Sequence, residues 1–385
     1  MDGRCHSSRS PMVTTDFRVK EIHLKLTRDV AYKAIAEFFS VEKPFVLFGT
    51  GTSCALDLSF GMPALEGHLR AELSTGLSDV QVLQWQHVIG ALDAGTHDFE
   101  SAMDFIKDEE LTNRIVETTA KFVAYYDSKY AYQIISGAIE WPAGRLIKKL
   151  VETLPETDRQ LHLATPNYDL LAEYSFVRSS IPYLTGFSGG FCRQFDWSEA
   201  KRTVRFTGKS LAKTKQSPRN VEKKHIRLHK PHGSLNTFDV ESRMVECDGW
   251  IVNKPDGVTR AMITPGTAKY QRLHQDRSRL AEYDRAVSDH SSFLFLGFGF
   301  NDSQLVNNTF RHKLEQNQCS GLVITRDFSP QIGGWLNSCP NMWVVCKQET
   351  SDYTRIYNSK FDDWLLINDK ELWRFDRFTQ EFLGG

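Results

Sequence analysis

Long apolar runs are missing from this 385-residue sequence. The longest, around Phe293 to Phe300 and Pro44 to Phe48, fall well short of the roughly 18 to 20 residues that a bilayer crossing needs, so no membrane partner is expected. Cysteine is sparse: Cys5, Cys54, Cys192, Cys247, Cys319, Cys339 and Cys346 are scattered, odd in number and without a CxxC pair. That pattern argues against a disulfide framework and a thiolate zinc site, and fits a reducing, cytoplasmic location. Excess charge is lacking too, since 47 basic against 48 acidic residues leave a net charge of -1. No global field draws the chain to nucleic acid, and such affinity would need a local patch. Residues 1–16 are Ser-rich with no apolar stretch behind them, which reads as a disordered tail and not a signal peptide.

With 41% apolar and 25% charged residues, the chain has a globular balance and the length to bury a large core. Residues 17–43 carry apolar positions at three- and four-residue steps, predicting an N-terminal helical segment. Pro44 to Phe48 then forms a compact apolar run closed by Gly49-Thr-Gly-Thr-Ser53, as a buried strand entering a glycine turn should. Over 64–155 helical spacing recurs in Val80, Val82, Leu83, Trp85, Val88, Ile89 and Leu92, and in Leu111, Ile115, Val116 and Phe122, predicting an inserted helical module.

Beyond it, short apolar segments alternate with turns: Leu161 to Ala164, Ile226 to Leu228, Ala261 to Ile263, Phe293 to Leu296, Leu322 to Ile324 and Met342 to Val345. Helical stretches are expected near 272–287, 303–315 and 351–366. The alternation predicts an α/β fold, a Rossmann-like parallel sheet covered by helices. Residues 44–63 and 156–346 would form its core, and 347–385 a C-terminal helical segment. The stripe Leu372, Phe375, Phe378 and Phe382 in that segment reads either as core packing or as an assembly surface.

Four strand ends concentrate polar and glycine residues. In the first, Gly49 and Gly51 would permit positive φ and let backbone N–H groups approach a pyrophosphate, although the third glycine of a dinucleotide fingerprint is absent. In the second, Thr165-Pro-Asn-Tyr-Asp169, Asn167 and Asp169 sit where open α/β sheets bind ligands, or else cap a helix. The third, Lys230-Pro-His-Gly-Ser-Leu235, offers His232 as a proton acceptor. The fourth is Gly297-Phe-Gly-Phe-Asn-Asp302. His225, His229 and His232 have the spacing of a helical metal face, but Pro231 and the alternating Ile226 and Leu228 favour a strand, and no metal is expected.

The order of these motifs resembles the sirtuin superfamily. It is most similar to a zinc-less, sirtuin-like branch found in bacterial antiphage systems, with Asn167 to Asp169, Lys230 to Leu235, Pro265-Gly-Thr-Ala-Lys-Tyr270 and Gly297 to Asp302 as the matching segments. Deacetylating sirtuins follow their first loop with Gly-Ile-Pro-Asp-Phe-Arg and carry a four-cysteine zinc module. Here Gly61-Met-Pro63 continues as Ala64-Leu-Glu66, and the thiols are scattered.

The resemblance implies an NAD+ hydrolase. Asn167, Asp169 and His232 would be catalytic, and Gly49, Thr50, Gly51, Thr52, Ser53, Thr165, Gly233, Gly297, Gly299 and Asp302 would bind NAD+ as substrate. It further implies an antiviral effector that forms a homo-oligomer and works with a defence partner such as a HerA-type ATPase or a phage-sensing protein. A protein deacylase or ADP-ribosyltransferase, a non-catalytic NAD or ADP-ribose sensor, and an assembly subunit are the alternatives.

The segment 201–230 gathers Lys201, Arg202, Arg205, Lys209, Lys213, Lys215, Arg219, Lys223, Lys224, Arg227 and Lys230 against Glu222. It reads as a solvated insertion, or as the one place where nucleic acid or an acidic partner could dock.

Overall fold

The computed structural model describes residues 25–208, 219–264 and 277–384. Nine strands form the main sheet: β1 (Phe45–Phe48), β2 (Gln160–Ala164), β3 (Tyr183–Leu184), β4 (His225–His229), β5 (Ser292–Leu296), β6 (Ser320–Ile324), β7 (Met342–Lys347), β8 (Thr354–Asn358) and β9 (Leu365–Ile367). Their spatial order is 9-8-7-6-5-1-2-4-3, parallel from β7 through β3, with β8 and β9 antiparallel at one edge.

Strand patterning explains the layers. In β1, Val46 and Phe48 join one core while Phe45 and Leu47 join the other; β5 divides Leu294 and Leu296 from Phe293 and Phe295 in the same way. A strand that is apolar on both faces must be covered on both. Helices Arg28–Val41, Gly144–Glu152, Leu171–Arg178 and Phe375–Phe382 contribute to the first core, and Arg277–Asp289 and Pro330–Ser338 to the second. The fold is thus α/β and Rossmann-like.

Residues 62–152 contain helices Met62–Glu72, Asp79–Asp93, Phe99–Ala102, Glu109–Ser136 and Gly144–Glu152, with a separate core around Leu69, Trp85, Val88 and Ile115. Ser78 and Gln81 make a capping box at the start of the second of these helices. The 28-residue helix begins where Asp108 accepts from the Leu111 N–H and ends at Gly137, whose φ is +80°. Among the described residues, no helix is long and apolar enough to cross a membrane.

Several sequence expectations are corrected. The stretch 351–366 carries β8 and β9 instead of a helix, so within 347–385 the helix is confined to Phe375–Phe382. Thr354 and Ile356 are buried while Arg355 and Tyr357 are half-buried on the other face, a period of two that the mixed composition obscures. Ala261 to Ile263 is not a strand; a two-residue strand, Thr259–Arg260, lies just before it. That strand belongs to a second, five-stranded antiparallel sheet with Thr237–Val240, Arg243–Glu246, Arg193–Phe195 and Phe187–Gly189, which the sequence did not announce. Near 303–315 the helix is a single turn, Asn308–Arg311, running into a π-turn at His312–Gln316.

The C-terminal stripe is core: Leu372, Phe375 and Phe378 are buried and Phe382 packs against them. The six described cysteines are free thiols. The segment Pro265 to Tyr270, residues 1–24 and Lys209, Lys213 and Lys215 lie outside the described residues.

Candidate functional site

Strand β1 is flanked by β2 on one side and β5 on the other, so successive connections run outward in opposite directions from it. Open α/β sheets bind ligands at the carboxyl ends of strands at such a reversal. A cleft of about 420 Å³ lies there, lined by Gly49, Thr50, Gly51, Asn167, Asp169, His232, Gly297, Gly299 and Asp302. The four motifs, far apart in sequence, therefore meet. Thr52, Ser53, Thr165 and Gly233 are not in the lining and act from behind it.

The glycine loop is shaped by contact. A Cβ on Gly49 would stand 2.7 Å from the Gly297 carbonyl oxygen, and one on Gly51 2.7 Å from the Gly297 Cα. Gly49 N–H donates to Leu296 O and Gly51 N–H to Gly297 O, both at 3.0 Å. Neither glycine has positive φ. The expectation of positive φ at these two glycines is thus corrected: their N–H groups fasten β1 to β5, and Thr50 is the polar residue of the loop that reaches the cleft. Positive φ occurs instead at Gly297 (+53°) and at Phe300 (+61°).

Behind the loop runs a hydrogen-bonded chain. Asn167 Nδ2 donates to Gly49 O at 3.2 Å and to Ser53 Oγ at 3.1 Å, and Ser53 Oγ donates to Asp169 Oδ2 at 2.8 Å. Thr165 Oγ1 accepts from the Asn167 N–H, and Thr52 Oγ1 donates to Gly49 O. The Asn167 amide donors are consumed, while its buried Oδ1 has no hydrogen-bond partner among the described residues. A buried acceptor left open in a cleft is a place for a ligand donor. Burial pushes the Asp169 carboxyl above its ordinary pKa, opposed by the Lys230 charge and the Ser53 hydroxyl.

His232, 4% exposed, follows β4. Its Nε2 stands 3.2 Å from Asp302 Oδ2, while Asp302 Oδ1 accepts from the Gln304 and Leu305 N–H groups. Asp302, expected among the NAD+-binding residues, is therefore the carboxylate facing the histidine. Gly233 has φ +77°, and a Cβ there would meet Ala261 O at 2.1 Å, so the glycine after His232 is obligatory. Ser234 Oγ and Leu235 N–H both donate to Tyr168 O, stitching the second motif to the third.

Further residues complete the site. Lys230 Nζ donates to Asp169 O and to Glu173 Oε1, both at 2.7 Å, as a buried ion pair. Asp127, on the 28-residue helix, accepts from Leu170 N–H at 2.7 Å and from Tyr174 Oη at 2.6 Å, keying the helical module to the Asn167 turn. Burial pushes the Asp127 carboxyl up to about 7. The module also supplies an apolar wall of Met62, Leu65, Phe99, Phe122 and Val123, joined by Phe60 just before it, with Asp98 and Glu100 beside them. Phe122 was legible only as a position in a helical stripe, and nothing in the sequence marked the others as cleft residues.

The basic segment is not one solvated strip. Arg227 pairs with Glu282 at 2.8 Å, Arg205 with Glu222 at 3.1 Å, and Lys230 with Glu173, the first and last of these bases being buried. His225 and His229 lie on β4, as the strand reading required, and among the described residues no group of three or more His, Cys, Asp or Glu converges on a metal position.

This is the context for comparison with known proteins. Residues 161–328 match the model of the SIR2-like domain. The match supports a sirtuin-like family and suggests an enzyme that uses NAD+. The SIR2-like region takes in β2, β4, β5, the Asn167 turn, His232 and Asp302, and leaves β1, its glycine loop and the helical module outside. Curated proteins give no match to this chain.

Proposed function

We propose that this protein is an NAD+ hydrolase that releases nicotinamide and ADP-ribose. The observation that carries the reading is the approach of His232 to Asp302 in the same cleft as the open Asn167 Oδ1. In the reaction the bond between the nicotinamide nitrogen and ribose C1′ breaks, and its electron pair neutralises the pyridinium. A water oxygen bonds to C1′, and its proton passes to the His232 imidazole, whose new charge Asp302, facing Nε2, compensates. General-base help of this kind is typically worth about 10² to 10⁴-fold.

Asn167 Oδ1 accepts from the ribose hydroxyl or the attacking water and fixes its direction. Asp169, held through Ser53, takes the nicotinamide carboxamide on its remaining lone pairs. The apolar wall from the helical module limits solvent around the developing oxocarbenium. Thr50, Gly297 and Gly299 border the rest of the dinucleotide.

We propose further that this activity serves abortive defence, where NAD+ loss stops the infected cell and the enzyme stays silent until triggered; the resemblance of the motifs to those of antiphage proteins supports this reading. Self-assembly and a HerA-type or phage-sensing partner belong to the same reading. The test is NAD+ cleavage by His232→Ala and Asn167→Ala, each checked for wild-type melting. Both should lose cleavage by at least about 10²-fold. Wild-type rates in both would remove the catalytic assignment.

A further inference from the structure

One face of the sheet turns polar over β2 and β4. Leu161, Leu163, Ile226 and Leu228 enter the apolar core on one side, while His162, Arg227 and His229 occupy the alternate positions. His162 Nδ1 and His229 Nε2 lie 3.2 Å apart, and burial pushes both imidazoles down, so they stay neutral near pH 7. Above them a pocket of about 690 Å³ opens at the amino-terminal ends of the strands, the opposite edge from the His232 cleft.

Arg227 is the deepest cation of this pocket. It is 7% exposed, and its guanidinium carbon lies 4.5 Å from the centre of the Trp197 ring. Nη2 donates to Glu282, but Nε is buried without a hydrogen-bond partner among the described residues. A guanidinium donor is costly to bury unused.

Nearer the mouth stand Lys201 and Arg285, neither of them ion-paired among the described residues. The Lys201 ammonium is held below its ordinary pKa by burial and then by the Arg227 charge. Three of the acids around the pocket are paired with bases of its own wall, Glu222 with Arg205, Asp158 with Lys43 and Glu282 with Arg227, while Glu42 and Asp289 lie at its border.

We infer that this pocket is a second binding site, for a small phosphate-bearing ligand whose oxygens take Arg227 Nε at the floor and Lys201 and Arg285 at the mouth. Guanidinium groups match phosphate geometry, and the volume lies in the range of small-molecule sites. A recessed Arg227 suits a small ligand better than a nucleic-acid backbone, which would need its cations at the surface. The inference stands apart from the NAD+ reading, because its readout is binding.

The test is the melting temperature of the full chain titrated with ATP and, separately, with pyrophosphate. Asn167→Ala, Arg285→Ser and Lys201→Ser/Arg285→Ser are measured in parallel. A ligand at a hundredfold excess over its Kd should raise Tm by about 3 °C. The rise should persist in Asn167→Ala, shrink in Arg285→Ser, vanish in the double variant and weaken with salt. A rise with ATP alone identifies the site as one for nucleotides; a rise with both identifies the polyphosphate as sufficient. No rise with either compound, or a rise that the double variant retains, overturns the inference.

Discussion

His232 Nε2 lies 3.2 Å from Asp302 Oδ2, across an interval of seventy residues in the chain. The contact joins the end of β4 to the loop after β5 and gives the histidine a carboxylate that stays in place while a proton moves. Asp302→Asn keeps an acceptor for the Gln304 and Leu305 N–H groups and removes the charge. NAD+ cleavage should fall by about 10²-fold in kcat, with KM little changed. An equal loss carried in KM would instead make Asp302 a substrate-binding residue.

Lys230 and Glu173 form a buried pair at 2.7 Å, with the lysine also holding Asp169 O. Removing one partner leaves the other charge unpaired, so Lys230→Met should cost about 3 to 5 kcal/mol. Denaturant unfolding checks this, and Lys230→Met/Glu173→Gln should recover part of the loss. A double variant no more stable than Lys230→Met would show that the carboxylate is not the source.

Asp127 gives a pH signature. Its folded-state pKa is raised to about 7 by burial, against about 3.9 in the unfolded chain, so the folded state binds the proton more tightly. Its contribution is fully present below about pH 4 and is lost as pH rises through about 7. Glu246, also pushed up to about 7 by burial, acts in the same direction. In Asp127→Asn the fall in unfolding free energy between pH 4 and 8 should be visibly shallower than in wild type. An unchanged slope would remove Asp127 as a titrating group.

Gly233→Ala should be severe, because the added Cβ meets Ala261 O at 2.1 Å in a backbone held at φ +77°. A melting temperature several degrees lower, with cleavage lost even at temperatures where the fold survives, is expected. Wild-type melting and turnover would mean that the turn relaxes freely.

The sequence reveals what local patterning encodes. β1 and β5 were readable because both faces are apolar, and the glycine turns because they interrupt those runs. Strand β8 was not, since Thr354, Arg355 and Asn358 break the apolar run that would have marked it. The site residues were legible as motifs, but their partnerships were not: Asp302 with His232 and Asp127 with Leu170 are set by tertiary packing. Gly49 and Gly51 show the same limit. Their need for absent side chains comes from Gly297, which only the parallel pairing of β1 with β5 brings alongside.

The most direct measurement is product analysis after incubating the purified chain with NAD+ and no peptide or other acceptor. Nicotinamide and ADP-ribose should appear in equal amounts, and both should vanish with Asn167→Ala. Binding of NAD+ without release of nicotinamide, or release that requires an acylated peptide, would contradict the hydrolase account.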